Sequence, residues 1–214
     1  MKDLVIIGAG GFGRETKAMV DEINEVNPQW NFIGYIDDGK TDETVEGVIP
    51  LGNLDFLCNM NPKPYAVIAI ASAHVREAIA NKCYAAGVPF ATLIHPSVKM
   101  RGDLCTIGEG SIICEGFSMA INSHVGKHCI MNMYCGLGHD TYVGDYSGMM
   151  SYTITGGDTV IGKYNYFGLR CTVINLINTC DDCTFGAGAV IVKSADVPGT
   201  YVGVPAKCIK PLVK

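Results

Sequence analysis

The chain has 214 residues, 48% hydrophobic and 17% charged, which is enough apolar material for one or two domains with their own cores. Its formal net charge is −5 and no basic cluster appears, so neither nucleic acid nor an anionic membrane surface is an expected partner. No apolar run reaches the length of a membrane span, and the opening Leu4–Ile7 run breaks at Gly8 with no small-residue cleavage site after it, so it reads as a buried strand and not a signal peptide.

The first ninety residues alternate between strand and helix patterns. Strands are predicted at Leu4–Ile7, Phe32–Ile36, Ala66–Ala71 and Phe90–Ile94, and helices at Phe12–Glu25 and His74–Ala86, the last stopped by Gly87. The all-apolar third strand suits a parallel sheet covered on both faces. The predicted unit is a small doubly wound α/β domain over residues 1–92, with a second domain over 93–214. Its first turn, Gly8-Ala9-Gly10-Gly11-Phe12-Gly13, is a GxGxxG between a strand and a helix, where bare backbone amides can receive a phosphate. Asp37 and Asp38 end the second strand, where a carboxylate can meet ribose hydroxyls. The plain alternative is a tight turn beside a solvated acidic loop.

From Ile107 to Ile191 an apolar residue recurs at every sixth position; thirteen of these fifteen positions are large and apolar, and Thr155 and Thr179 fill the others. A period of six is neither helical nor simple strand alternation; it is the hexapeptide repeat of a β-solenoid, with an ordinary β-sandwich as the weaker alternative. Gly108, Gly126, Gly144 and Gly162 lie eighteen apart, one triangular coil each, and are expected to turn corners with positive φ. The residue four after each apolar position is mostly small and should also face inward. Of the ten cysteines, Cys105, Cys129, Cys135, Cys171 and Cys183 share that phase and read as small core residues. The Cys180–Cys183 pair has CxxC spacing but falls at a corner and inside the coil, so neither metal nor redox use is expected there, and the thiols suit a reducing, cytoplasmic protein.

Among the five histidines, His95 precedes Pro96 and reads as structural, while His74 opens a helix. His124 and His128 are spaced HxxxH but fall in unlike phases of the coil, so a metal pair is not expected. His139 stands two residues past the inward Leu137 and directly before Asp140, pointing outward from a corner. A carboxylate beside an imidazole raises its basicity and fixes its tautomer, which suits a general base. A surface His beside a surface acid is the alternative on residue chemistry alone.

The GAGGFGRE loop, the strand ending Tyr35-Ile36-Asp37-Asp38, the junction Leu93-Ile94-His95-Pro96-Ser97, the eighteen-residue coil, Gly138-His139-Asp140 and the closing Val202-Gly203-Val204-Pro205-Ala206-Lys207 occur together. In this the chain resembles the bacterial sugar-nucleotide acetyltransferases that include the sialic acid O-acetyltransferases and the bacillosamine-pathway N-acetyltransferases. The resemblance implies a Rossmann-like domain followed by a left-handed parallel β-helix, a cytoplasmic homotrimer with sites between neighbouring helices, and acetyl-CoA as co-substrate with no metal. It places the catalytic base on His139 and its supporting acid on Asp140. Substrate binding maps to Gly10, Gly11, Phe12, Gly13, Asp37, Asp38 and, at the third strand's end, Ala71. Acetyl-CoA binding maps to Gly157 and Leu169, with the Gly157 N–H aimed at the thioester carbonyl, and to Gly148, where some members carry a second histidine. The implied reaction is direct acetyl transfer to a UDP- or dTDP-4-amino-sugar, N-transfer being favoured over O-transfer to sialic acid or another sugar hydroxyl because a neutral amine is the better nucleophile. A zinc hydratase, a nicotinamide oxidoreductase and a non-catalytic nucleotide-binding trimer are the competing classes.

Overall fold

The computed structural model describes all residues except 41–43, 46, 48, 49, 213 and 214. The chain divides into two compact units, Met1–Pro96 and Ser97–Lys214.

In the first unit, β1 (Lys2–Ile7) lies between β2 (Trp30–Ile36) and β3 (Tyr65–Ile68), all parallel. Leu4, Val5, Ile6 and Ile7 are buried in the middle strand, as an apolar run covered on both faces should be. Helix α1 (Gly11–Val26) follows β1, and α3 (Ala73–Ala85) follows β3. A short helix, α2 (Leu54–Asn59), escaped the sequence reading; the Asn53 side chain caps it by accepting from the Phe56 N–H at 2.9 Å. The strand expected over Phe90–Ile94 is shorter: Phe90 makes a single bridge to Ala66, and only Leu93–Ile94 is strand.

The second unit is a triangular solenoid of short parallel strands, mostly two residues long and, from Ile107 to Ile191, paired with residues eighteen away. The six-residue series is its interior: Ile113, Met119, Val125, Met131, Leu137, Val143 and Met149 are all buried. The first coil holds one additional residue, since Met100 pairs with Met119 but Ile107 pairs with Val125. That insertion is why the period becomes visible only at Ile107. Beyond Ile191, Gly199–Val202 pairs with Cys183–Phe185 and with the antiparallel Lys207–Pro211.

The small inward series has a role beyond size. Ser111, Ser123, Ser147 and Thr153 each donate a hydroxyl hydrogen bond to the carbonyl fifteen residues on, at 2.8–3.1 Å. Cys129, Cys135 and Cys171 do the same with their thiols at 3.1–3.3 Å. A small inward donor at this position thus satisfies a carbonyl of the next corner from inside the prism.

The glycines every eighteen residues correct the sequence expectation. Gly108, Gly126, Gly144 and Gly162 are not among the positive-φ residues. A Cβ on Gly144 would stand 2.7 Å from the Gly162 carbonyl carbon, and one on Gly108 2.5 Å from that of Gly126. Glycine is needed there because consecutive coils touch backbone to backbone. The left-handed conformation falls two residues later, mostly on residues with side chains: Asn122, His128, Tyr134, Asp140, Tyr146, Tyr152, Asp158, Tyr164, Arg170, Leu176 and Asp182 have φ between 52° and 64°. Each costs about 1–2 kcal/mol outside glycine. In return all of them but Asn122 turn their N–H to a carbonyl of the coil before, as Asp140 does to Ile121 at 3.0 Å and Asp158 to His139 at 2.9 Å. Stacking adds to this at two corners: Tyr146 lies on Tyr164 with centroids 5.7 Å apart, and Tyr134 on Tyr152 at 5.3 Å.

All ten cysteines are free. Burial pushes the Cys135 thiol up to about 12, and burial followed by the Cys180 thiol does the same to Cys183, whose sulfur lies 3.6 Å from that of Cys180. Only the thiolate reacts readily with a disulfide reagent. In the folded protein Cys208 should therefore react first and the half-buried Cys58 and Cys180 more slowly, with the other seven titrating only after denaturant is added. Rapid reaction of more than three thiols in native buffer would contradict this packing.

Candidate active site

In the first unit the glycine-rich turn is built by close approach. Gly8 has φ of +102° and donates its N–H to the Ile36 carbonyl, while a Cβ on Gly13 would fall 1.9 Å from the Gly8 carbonyl oxygen. Gly8 and Gly13 are thus required by the turn itself. Gly10 and Gly11 are different: a Cβ on Gly10 would meet nothing within 4 Å, and one on Gly11 only the tip of Arg14. Gly10 is the N-cap of α1 and offers no capping side chain, which leaves the helix amides to another acceptor. Phe12 is half-buried and its carbonyl accepts from the Thr16 hydroxyl.

The two aspartates are partly engaged by the protein. Asp37 accepts from the Ala9 N–H at 2.8 Å through one oxygen and from the Gly39 N–H at 2.9 Å through the other. Asp38 accepts from the Leu54 N–H at 2.8 Å. Asp37 therefore ties the end of β2 to the glycine turn, a structural task the sequence pattern did not indicate, and each carboxylate keeps lone pairs for a further donor. A cleft lined by Gly8, Asp37, Asp38, Leu54, Ile70 and Val75 opens beside the turn. A second is lined by Ala9, Gly10, Gly11, Arg14 and Lys40, and so brings two basic side chains that sequence reasoning passed over. Ala71 is exposed, and its carbonyl accepts from the buried Arg76 guanidinium at 2.7 Å.

In the second unit His139 and Asp140 sit at one corner of the coil, each about half exposed. His139 Nδ1 lies 2.8 Å from Asp140 Oδ2. Hydrogen bonds from the Asn122 amide and then from His139 hold the Asp140 carboxyl below the usual carboxylate range. An ionised carboxylate only accepts, so Nδ1 carries the proton, and in the neutral ring the Nε2 lone pair is free to act as a base. The ring lies across Gly157: a Cβ there would come within 2.5 Å of Nε2. The Gly157 carbonyl accepts from the Leu176 N–H, and its own N–H has no acceptor among the described residues. Asp158 Oδ2 is 3.8 Å from Nδ1 on the other side. These three side chains could also approach a cation, with ligand atoms within 4.8 Å of one another.

The structure thus gathers His139, Asp140 and Gly157 at one corner. It does not bring Gly148 or Leu169 there. Gly148 is a buried strand residue between Met150 and Tyr166, on the face it shares with Ile130. Leu169 is exposed just before Arg170, at the corner where the Arg170 guanidinium lies over the Tyr152 ring. Among the other histidines, His95 reaches Glu22 at 3.1 Å, His128 is buried against Tyr146, and His124 faces Asn122 and Thr106.

A small α/β domain followed by a parallel solenoid matches the architecture of the left-handed β-helix acetyltransferases. Residues 3–83 match the PglD N-terminal domain family. GDP-perosamine N-acetyltransferase of Escherichia coli O157:H7 is 29% identical over 137 residues, spanning 63% of this chain and 61% of that enzyme. The match thus covers about three fifths of the curated relative's length. Among solved structures, WeeI from Acinetobacter baumannii AYE is 27% identical with a TM-score of 0.88, covering 98% of this chain and all of its own. The acetyltransferase domain of PglB from Neisseria gonorrhoeae FA1090, solved with acetyl coenzyme A, is 25% identical with a TM-score of 0.84 over 97% of this chain and 99% of its own. The chain is thus similar along nearly its whole length to these two solved structures, and over about three fifths of its length to the curated N-acetyltransferase. No described helix is long and apolar enough to cross a membrane.

Proposed function

We propose that the chain is an acetyl-CoA-dependent N-acetyltransferase acting on a nucleotide-linked amino sugar. The observation that carries this reading is the His139–Asp140 pair at 2.8 Å, with Nε2 left free over the bare Cα of Gly157. The named activity of the E. coli relative and the acetyl coenzyme A bound to the PglB domain support the substrate classes. In the first unit the uncapped helix start at Gly10, Gly11, Phe12 and Gly13 receives the diphosphate, with Arg14 and Lys40 beside it. Asp37 and Asp38 use their remaining lone pairs on the nucleoside, and Ala71 follows directly on Ile70, which lines that cleft.

The sugar amine attacks the acetyl carbonyl, and His139 Nε2 takes the proton that the nitrogen loses. The Gly157 N–H donates to the oxyanion. Collapse breaks the carbon–sulfur bond, and the departing thiolate is protonated by the imidazolium, which restores the free base. Two positioned substrates account for roughly 7–11 kcal/mol of barrier lowering, and the base adds about 10²–10⁴-fold. A homotrimer is the assembly in which Gly148 and Leu169, on another face and corner, can hold acetyl-CoA against a neighbouring chain's His139. We place this enzyme in the cytoplasm, where acetyl-CoA and sugar nucleotides are made.

The test is free-thiol release from acetyl-CoA against a panel of UDP-, dTDP- and GDP-linked 4-amino-sugars and CMP-sialic acid. Release with one amino-sugar nucleotide is the expected result. Release only with a hydroxyl acceptor would replace N- by O-acetylation, and absence of acetyl-CoA binding would end the transferase reading.

A further inference from the structure

The hydrogen bonds at the His139 corner continue past Asp140. Asn122 Nδ2 donates to Asp140 Oδ1 at 2.6 Å, His124 Nε2 lies 3.3 Å from Asn122 Oδ1, and Thr106 Oγ1 lies 2.9 Å from His124 Nδ1. We propose that Asn122 is a positioning residue for acetyl transfer, holding Asp140 so that its other oxygen fixes His139 over Gly157. The inference rests on the reading of His139 as the base.

One acceptor-only group orders the whole chain of protons. The Asp140 carboxylate can only accept, so Asn122 must turn its amide nitrogen toward it and its oxygen toward His124. His124 then donates from Nε2, and its Nδ1 is left to accept from the Thr106 hydroxyl. Asn122 occupies the left-handed position of its coil at φ 54°, a conformation that asparagine tolerates better than most residues. It stands eighteen residues before Asp140, and Asp140 eighteen before Asp158, so the three share one corner of successive coils.

The need for such a clamp lies in the competing carboxylate. His139 Nδ1 has Asp140 at 2.8 Å and Asp158 at 3.8 Å. Both carboxylates are exposed, and neither is held by a lysine or arginine ion pair among the described residues. Asn122 reaches Asp140 alone. Without it, Asp140 is free to rotate, the ring can turn toward Asp158, and Nε2 leaves its place. The ionisable groups around the corner are His139, Asp140, Asp158 and His124, with Tyr142 beside His124 at 6.4 Å between ring centroids.

Two variants test this. Asn122→Gly deletes the amide without strain at positive φ. It should lower kcat by about ten- to a hundredfold while the KM for acetyl-CoA stays within about twofold, because the displaced group acts on the reacting atoms and not on cofactor binding. Its effect should vanish in an Asp140→Asn background, as expected when two residues act through one contact. Asn122→Asp keeps the shape but sets a second carboxylate against Asp140. It should move the acid limb of the kcat/KM profile to higher pH, since added negative charge favours the protonated ring. Wild-type kcat in Asn122→Gly, with an unmoved profile in Asn122→Asp, overturns the proposal. His139→Ala is run beside them: if it is inactive while both Asn122 variants are normal, only the positioning role fails; if it is active, the base assignment fails and the positioning role with it.

Discussion

His139→Ala turns over acetyl-CoA and the acceptor at least about a hundredfold more slowly than the parent protein, with the solenoid intact. The expectation follows from where the side chain sits. It is about half exposed, it belongs to no part of the buried core, and its contacts are Asp140, Asp158 and the face of Gly157. Its removal therefore subtracts little packing, and thermal unfolding should move by no more than a few degrees. What is lost is the one lone pair at this corner with a fixed direction. Asp140 and Asp158 remain, but an ionised carboxylate kept below its usual range, as Asp140 is, is a weak base for an amine proton. Steady-state rates by thiol release, with circular dichroism to confirm folding, decide the matter. Turnover within about threefold of the parent would remove His139 from the mechanism.

The parts of this molecule that were legible in the sequence are those dictated by repetition. A coil that buries the same two positions every six residues writes them as a period, so Met131, Leu137 and Cys135 announced themselves. His139 and Asp140 were legible because an outward His–Asp pair stands out against that period. Less legible was why each glycine is there. Gly144 and a positive-φ glycine look identical in sequence; only the 2.7 Å approach to Gly162 distinguishes close packing from a turn. The left-handed corners could not be read at all from composition, because Tyr134, Tyr146 and Leu176 have side chains that disfavour them and are held there by hydrogen bonds to the previous coil. Asn122 went unnoticed for a related reason. Its partner lies eighteen residues away, and only the coil geometry turns that separation into a 2.6 Å contact. The same spacing from Asp140 was the available signal. The structural task of Asp37 was hidden for the same reason, because its acceptance from the Ala9 N–H joins segments twenty-eight residues apart.

Gly157→Ala should be nearly as damaging as loss of the histidine itself, and for a reason confined to one methyl group. Gly157 is not at positive φ, so alanine brings no backbone strain. The added Cβ would lie 2.5 Å from His139 Nε2, 2.6 Å from Cε1 and 2.8 Å from Cδ2, so the whole edge of the ring must move. Nothing buried stands in its way: the ring is exposed and swings outward, and stability changes little. The neighbouring Gly156 would behave otherwise, since its Cβ would meet the Asn175 backbone nitrogen at 2.4 Å and the coil itself would have to give. An imidazole displaced by about 1 Å loses about a hundredfold in rate. The methyl also stands beside the N–H assigned to the oxyanion. Gly136→Ala provides the control, because its Cβ would find only ordinary contacts at 3.8 and 4.0 Å. The expected pattern is a kcat reduced by about a hundredfold in Gly157→Ala, a normal kcat in Gly136→Ala, and similar unfolding temperatures for both. A fully active Gly157→Ala would show that neither the ring position over this residue nor its N–H contributes to the transfer step.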